Sequence, residues 1–128
     1  MINLVTGGAG FIGTHLINSL LNKNEKIICI DNFLTGSKEN IKKWKEKKNF
    51  TFLKHDIIGP LDLKVNKIWH LACPASPIHY QKNPIYTSKI LFQGTLNILN
   101  IAHKNNAKLL IASSSEIYGD PKSHPQQE

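Results

Sequence analysis

Apolar residues along the chain form short continuous runs that alternate with segments in which they recur every three or four positions. Residues 2–6 and 26–30 are short, mainly apolar runs, the second with four consecutive apolar residues, which is the pattern of strands buried on both faces of a parallel sheet. Between them, the apolar residues from Phe11 to Leu21 recur at helical spacing. Further apolar runs predict strands over 50–53, 67–71 and 107–112.

The segments between the later strands carry helix-start residues. Ser37 can cap a helix that includes Ile41 and Trp44. Pro84 suits the first turn of a long helix that we expect to run through Lys104. Strands that alternate with helices predict an α/β fold with right-handed connections and a parallel sheet in the order 3-2-1-4-5. The length of 128 residues suits one domain over residues 1–128.

Composition and charge exclude only a few classes of protein. The chain is 41% hydrophobic, and none of its apolar runs approaches the roughly 18–20 residues that a membrane span needs. Met1 leads directly into a strand-like run without a signal-peptide pattern, so we expect a cytoplasmic protein without a membrane partner. The formal charge of +7 comes largely from a lysine run over 42–48, which we interpret as the solvated face of a surface helix. No aromatic–basic pattern accompanies it, so we expect no nucleic-acid partner.

The two cysteines, Cys29 and Cys73, both lie in apolar stretches and form no C-x-x-C pair. We expect both to be buried thiols rather than a disulfide or a metal site.

A glycine-rich segment, residues 7–13, follows the first predicted strand and opens the first predicted helix. This context is the one in which such glycines bind a dinucleotide: one allows a tight turn, one lets the backbone approach the pyrophosphate, and Gly13 lets the helix pack closely. The free N–H groups at the helix start attract the phosphates. The segment therefore predicts a phosphate cradle in a Rossmann-type sheet.

Polar residues follow the next strand ends. Asp31 ends the second strand, where a carboxylate can accept hydrogen bonds from the ribose hydroxyls and repel a 2′-phosphate, so we expect NAD rather than NADP. Asp56 follows the third strand and can accept a hydrogen bond from the adenine amino group. Small residues at the end of the fourth strand would let the cofactor lie against the backbone. The residues predicted to bind NAD are Gly7, Gly10, Phe11, Ile12, Gly13, Asp31, Asn32, Thr35, Gly36, Asp56, Ile57, Leu71, Ala72 and Cys73.

The motifs taken together resemble those of extended short-chain dehydrogenases that act on nucleotide sugars. Within that group the chain is most similar to the UDP-glucuronate decarboxylases. The segments that carry this resemblance are residues 5–13, 31–36, 55–56, 70–77, 113–121 and 124–126, with Tyr80, Asn83, Pro84 and Glu128.

The resemblance implies a reaction in which bound NAD oxidises C4 of the glucuronate sugar, carbon dioxide leaves, and the hydride returns to give UDP-xylose. It implies that Ser114 is a hydroxyl donor and Glu116 an active-site carboxylate. It also implies that Ser76, Tyr80 and Lys89 contact the substrate, UDP-glucuronate, and that the complete enzyme is a homodimer.

Departures from the family pattern leave alternatives open. Dehydratases of this group carry an Asp where this chain has Ser115, and a serine is a poor general acid, so dehydration is disfavoured. The family's Asn three residues before Gly94 is Leu91 here. Another nucleotide-sugar dehydratase or epimerase, and a non-catalytic NAD-binding module, remain alternative functions.

The family's Tyr-x-x-x-Lys pair does not follow Glu116 within these 128 residues, nor do the last strands and the sugar-binding domain. We therefore expect an incomplete enzyme, truncated before its substrate domain.

We predict that the 128-residue chain alone produces no UDP-xylose from UDP-glucuronate and NAD, because the proton-transfer Tyr is missing. Chromatography of the reaction mixture checks this. Formation of UDP-xylose by the purified chain would contradict the prediction.

Overall fold

The computed structural model describes residues 1–120 and 122–125 of the chain. The elements in chain order are β1 (Ile2–Thr6), α1 (Phe11–Asn22), β2 (Lys26–Asp31), α2 (Lys38–Lys42), β3 (Phe50–Lys54), β4 (Lys67–His70), α3 (Pro77–Tyr80), α4 (Pro84–Lys89), a π-helical turn (Ile90–Gly94), α5 (Thr95–Asn105), β5 (Lys108–Ile111) and a 3₁₀ turn (Ser115–Tyr118). The motif residues Pro121, Gln126 and Glu128 lie outside the described residues, as does the side chain of Ser115.

The five strands form one parallel sheet in the order β3-β2-β1-β4-β5, which confirms the predicted topology. Strand β1 is central, and its Thr6 lies beside Ile30 of β2 and His70 of β4. The carboxyl ends of β1, β2 and β4 therefore meet at one edge of the sheet. In such folds ligands bind at that edge.

Apolar side chains fill both faces of the sheet, because successive residues of a strand point to opposite sides. Val5 belongs to the core under α1 and α2, and its neighbour Leu4 belongs to the core under α4 and α5. Both residues are fully buried. This two-sided burial explains why β1 and β2 carry neighbouring apolar residues instead of alternating apolar and polar ones.

The helix after β2 is shorter than predicted. Ser37 caps it as expected, its hydroxyl oxygen accepting a hydrogen bond from the Glu39 N–H, but α2 ends at Lys42. Beyond it the backbone makes tight turns, with the Trp44 N–H bonded to the carbonyl of Ile41 three residues earlier. These turns carry the Trp44 ring to within 5.7 Å of the Phe50 ring, where it is buried. The prediction that one helix includes Trp44 is therefore wrong, although Trp44 is a core residue.

The lysine run lies mostly on these turns instead of on a helix face. Its lysines are exposed, and Lys43 places its ammonium 4.7 Å from the centre of the Trp44 ring. The prediction that these lysines are solvent-exposed is confirmed, whereas the prediction that they lie on a helix is wrong for the residues after Lys42. None of the described helices combines the length and apolar content that crossing a bilayer requires.

The long helix predicted from Pro84 occupies residues 84–105, but it is divided by the π-helical turn over Ile90–Gly94. Within that turn Ile90 and Gly94 are buried, and Leu91 is 54% exposed. A Cβ atom on Gly94 would lie 2.6 Å from Cδ1 of Ile57, so the absence of a side chain lets the helix contact the loop after β3.

The two cysteines differ in solvent exposure. Cys29 in β2 is fully buried, and burial raises the pKa of its thiol to about 12, with Asp31 adding to the shift. Cys73 is exposed, so the prediction that both thiols are buried is wrong for Cys73. It lies in the loop between β4 and α3.

Candidate functional site

At the turn after β1, the backbone comes close to the segment that follows β4. Gly7 has a φ of +69°, and its N–H donates to the carbonyl of Ile30 at 2.8 Å. A Cβ atom there would lie 2.8 Å from the carbonyl carbon of Leu71 and 2.9 Å from the nitrogen of Ala72. Only glycine fits both the positive φ and this contact. Gly7 therefore holds the backbones that follow β1 and β4 together.

Helix α1 begins directly on this turn. A Cβ atom on Gly13 would lie 2.4 Å from the carbonyl oxygen of Gly7 and 2.7 Å from Cα of Gly8. The sequence predicted that Gly13 allows close packing, and the structure shows that its partner is the glycine turn itself. The absence of a side chain at Gly13 thus sets how near the helix start comes to the turn.

The first turn of α1 presents free backbone donors. Its N-cap is Gly10, which has no side chain to cap the helix, and the first helical hydrogen bond runs from the Thr14 N–H to the Gly10 carbonyl at 3.0 Å. Phe11, Ile12 and Gly13 therefore keep N–H groups without helical acceptors, and the positive end of the helix dipole adds to their attraction for an anion. The side chains of Phe11 and Ile12 are 80% and 66% exposed. These features suit a phosphate group.

Asp31 connects the glycine turn to the loop after β2. Its side chain is buried, with one carboxylate oxygen accepting from the Ala9 N–H at 2.9 Å and the other from the Phe33 N–H at 2.8 Å. Gly36 lies against Ala9, since a Cβ on Gly36 would be 3.0–3.1 Å from Ala9 atoms. The structure therefore brings Asp31, Gly36 and the cradle together. Two of the roughly four acceptor positions of the carboxylate remain for a ligand.

Asn32 and Asp56 are joined by a third residue, Tyr86, which is not among the predicted site residues. The Tyr86 hydroxyl donates to Oδ2 of Asp56, and Asn32 Nδ2 donates to Oδ2 of Asp56 at 3.2 Å and to the Tyr86 hydroxyl at 2.9 Å. Burial alone would raise the pKa of Asp56, but hydrogen bonds from Tyr86, the Ile58 N–H and Asn32 outweigh it and hold that pKa below its usual value. Burial and the bond to Asp56 raise the pKa of Tyr86 to about 12.

The loop that carries Asp56 is fixed by a second residue that sequence reasoning missed. Asn97 of α5 donates through Nδ2 to the carbonyls of Ile57, Ile58 and Gly59 at 2.8–3.1 Å. The side chain of Ile57, predicted to contact the cofactor, is 5% exposed in the core beneath Gly94. Its backbone is the part of Ile57 that a ligand could reach.

A buried polar chain lies below the cradle. The Thr6 hydroxyl oxygen accepts from the N–H groups of Leu71 and Ala72 at 3.2 and 3.4 Å and shares a hydrogen bond of 2.7 Å with Nδ1 of His70. Nε2 of the same ring shares a hydrogen bond of 3.3 Å with the hydroxyl of Thr95. Burial lowers the pKa of His70, which favours its neutral form.

The predicted substrate and catalytic residues lie at exposed positions. Ser76 is the N-cap of α3, Tyr80 ends α3 and is 37% exposed, and Lys89 is the last residue of α4, where the helix continues into the π-helical turn. The structure brings Ser114 and Glu116 together: the Ser114 hydroxyl donates to Oε2 of Glu116 at 3.3 Å and accepts from the Glu116 N–H. Within residues 1–120 and 122–125, no hydrogen bond joins this pair to the cradle, and no group of side chains could hold a metal ion.

An open cleft of about 560 Å³ lies beside the Asn32 loop and the α3–α4 corner. None of Ser76, Tyr80 and Lys89 lines it. The residues that line the cleft are Leu34, His79, Lys82, Asn83, Tyr86 and Thr87.

Comparison with known proteins identifies a family whose model matches this chain. The model of the GDP-mannose 4,6 dehydratase family matches residues 4–128. UDP-glucuronic acid decarboxylase 6 of Arabidopsis thaliana is 52% identical over 126 residues, which are 98% of this chain and 37% of that relative. UDP-glucuronic acid decarboxylase 1 of Danio rerio is 49% identical over 98% of this chain and 30% of its own length. The chain thus spans about a third of the length of these relatives.

Solved structures share the fold. A dTDP-glucose 4,6-dehydratase from Streptomyces venezuelae, solved with NAD bound, is 26% identical, with a TM-score of 0.83 over 96% of this chain and 42% of its own. A UDP-glucose 4-epimerase from Bifidobacterium longum in complex with NAD⁺ and UDP is 28% identical, with a TM-score of 0.81 over 98% of this chain and 40% of its own.

Replacing Gly13 with Ala should destabilise the fold and the cradle together. The new Cβ would meet backbone atoms at 2.4 and 2.7 Å, so we expect the free energy of unfolding in urea to fall by about 1–3 kcal/mol. We also expect affinity for the predicted dinucleotide, NAD, to fall by more than about tenfold, a change of about 1.4 kcal/mol. Ser19→Ala on the exposed side of α1 is the control, and equal stability of the two variants would contradict the argument.

The neutral state of His70 predicts a loss of stability in acid. Because its pKa in the folded chain is below the usual 6.5, the unfolded chain takes up a proton first as the pH falls below about 6.5. The free energy of unfolding should then decrease, by at most about 1.4 kcal/mol per pH unit from this group. Urea titrations from pH 7.5 to 5 measure it. His70→Asn should remove that part of the slope, whereas His103→Asn at an exposed position should not.

Proposed function

The chain belongs to the family described by the GDP-mannose 4,6 dehydratase model, and on that basis we propose that it is the NAD-binding part of a UDP-glucuronate decarboxylase. The observation that carries the proposal is the identity of 49–52% to UDP-glucuronic acid decarboxylases across 98% of this chain. That level of identity is about twice the level shared with the 4,6-dehydratase and 4-epimerase structures.

The residues of the cradle fit NAD. The N–H groups of Phe11, Ile12 and Gly13 would hold the pyrophosphate, because Gly10 leaves them uncapped and Gly7 and Gly13 leave no side chain over them. Asp31 would accept hydrogen bonds from the ribose hydroxyls through its two remaining acceptor positions. When bound, NAD supplies reversible hydride transfer to and from the sugar.

The same carboxylate favours NAD over NADP. Asp31 is buried at the point where a 2′-phosphate would lie, and its charge would repel that phosphate. The cation that follows this loop is Lys38, and its ammonium lies over the Phe33 ring, 5.9 Å from the ring centre. Asn32, Thr35 and Gly36 would complete this side of the site, on the loop that Asp31 fixes.

Decarboxylation of UDP-glucuronate has no net redox change: the C4 hydroxyl is oxidised, the carboxylate leaves as carbon dioxide, and C4 is reduced again. Ser114 would stabilise the oxygen at C4 by donating a hydrogen bond to it. Its single proton now goes to Glu116, so the substrate oxygen would have to compete with that carboxylate. Ser76, Tyr80 and Lys89 are proposed to bind the rest of the substrate.

A nucleotide-sugar 4,6-dehydratase is the second candidate, because the family model and one structural neighbour carry that activity in their names. Ser115 argues against it, since a serine is a poor general acid for the loss of a hydroxyl group. A 4-epimerase is a third candidate on the same structural grounds. A non-catalytic NAD-binding module would leave the pair of Ser114 and Glu116 without a role.

We also propose that the complete protein is a homodimer. The outer face of the helix over residues 84–105 leaves four apolar side chains substantially exposed in the described chain: Ile85 at 72%, Phe92 at 74%, Leu96 at 40% and Leu99 at 45%. A row of this kind is typical of a contact between helices of two subunits. A monomeric mass for the complete protein in sedimentation equilibrium would contradict this part of the proposal.

The complete polypeptide encoded by the gene tests the reaction. With UDP-glucuronate and NAD we expect carbon dioxide and UDP-xylose, and Ser114→Ala should lower kcat by about 10²–10³-fold, as loss of an oxyanion donor does. Mass spectrometry of the sugar nucleotide identifies the product.

UDP-glucose and dTDP-glucose are the comparison substrates. A 4-keto-6-deoxy sugar from either would establish the dehydratase instead, and a UDP-galactose product would establish the epimerase.

A further inference from the structure

Tyr86 occupies a position to which neither the sequence motifs nor the proposed reaction gives a role. It lies in the first turn of α4, where the N-cap residue Asn83 accepts a hydrogen bond from the Tyr86 N–H at 3.0 Å. From there the phenol reaches the loop after β3 and also lines the cleft beside the Asn32 loop. It therefore connects a helix start, a strand end and an open cleft.

The hydrogen bonds of the triad formed by Asn32, Asp56 and Tyr86 can be counted donor by donor. The one proton of the Tyr86 hydroxyl goes to Asp56. The two amide protons of Asn32 go to Asp56 and to the Tyr86 oxygen, and the Asn32 amide oxygen accepts from the Leu34 N–H at 2.9 Å. Neither Asn32 nor Tyr86 has a donor left for a ligand.

The acceptor positions of Asp56 are nearly filled as well. Oδ2 accepts from Tyr86 and Asn32, and Oδ1 accepts from the Ile58 N–H at 3.0 Å. A carboxylate offers about four acceptor positions, so one remains, on Oδ1. The triad can therefore accept a hydrogen bond from a ligand but cannot donate one.

We propose that Tyr86 is a positioning residue for base specificity. By occupying the donors of the triad, it leaves only an acceptor at Oδ1 of Asp56. The triad then accepts a base that carries an amino group at that position and rejects a base that carries a carbonyl group at that position. The inference rests on the proposed function, since it concerns the adenine end of NAD. A carbonyl oxygen placed at Oδ1 of Asp56 would meet a part-buried carboxylate whose neighbouring donors are already bonded, and an acceptor that leaves water without gaining a new donor is costly.

Removing the Tyr86 hydroxyl should open the triad. In Tyr86→Phe one amide proton of Asn32 loses its acceptor and can turn to a carbonyl group on a ligand. The matched control is Tyr118→Phe, the same chemical change at a residue that is 57% exposed and outside the triad.

The test compares NAD with its hypoxanthine analogue, deamino-NAD, by titration calorimetry on the 128-residue chain. We expect the wild type to bind NAD at least about tenfold more tightly than deamino-NAD, a ratio equivalent to roughly one hydrogen bond. Tyr86→Phe should reduce that ratio by about three- to tenfold, and Tyr118→Phe should leave it unchanged. A purely structural role for Tyr86 would weaken both ligands equally and leave the ratio unaltered.

The outcomes separate the two proposals. Equal affinity of the wild type for the two dinucleotides would overturn the inference whatever the variants do. An unchanged or increased preference for NAD in Tyr86→Phe would also overturn it, while NAD binding by the chain would still stand. Failure of the wild type to bind either dinucleotide would overturn the proposed function, and the inference with it.

Discussion

The close contact between backbones at the glycine turn is the constraint on which the rest of the structure depends. Gly7 meets Leu71 and Ala72 across the sheet edge, and Gly13 meets Gly7 from the helix above, at distances that exclude any Cβ atom. These contacts fix the ends of β1 and β4 and the start of α1 relative to one another. The uncapped N–H groups of α1 are oriented by this arrangement before any ligand arrives, so little ordering is needed when a phosphate binds.

Around this turn, polar side chains tie the loops to the sheet instead of leaving them free. Asp31 holds the backbone of the cradle at Ala9, the buried chain from Thr6 to Thr95 passes beneath it through His70, and Asn97 fixes the loop after β3 through three carbonyls. Each of these side chains is hydrogen-bonded to the protein, and Asp31 keeps acceptor positions for a ligand. The proposed ligand-binding residues thus have a second function, which is to hold the edge of the sheet in shape.

The proposed chemistry is distributed unevenly over the chain. The cofactor side is built from buried and bonded residues, whereas Ser114 and Glu116 lie on an exposed 3₁₀ turn and bond mainly to each other. Exposed Leu110 and Ile111 on β5 add an apolar surface beside that turn.

The amino-acid sequence by itself determined the order of strands and helices, the glycine cradle and the position of Asp31, because two-sided burial and tight turns leave strong local patterns. The limits of the helices depend on packing that local patterns do not contain: Trp44 turns out of the helix to pack on Phe50, and the π-helical turn over Ile90–Gly94 lies against Ile57, 37 residues before Gly94. Only the tertiary structure decided the partners of Asp56, because Asn32, Asp56 and Tyr86 are separated by 24 and 30 residues and meet only when the sheet and α4 come together.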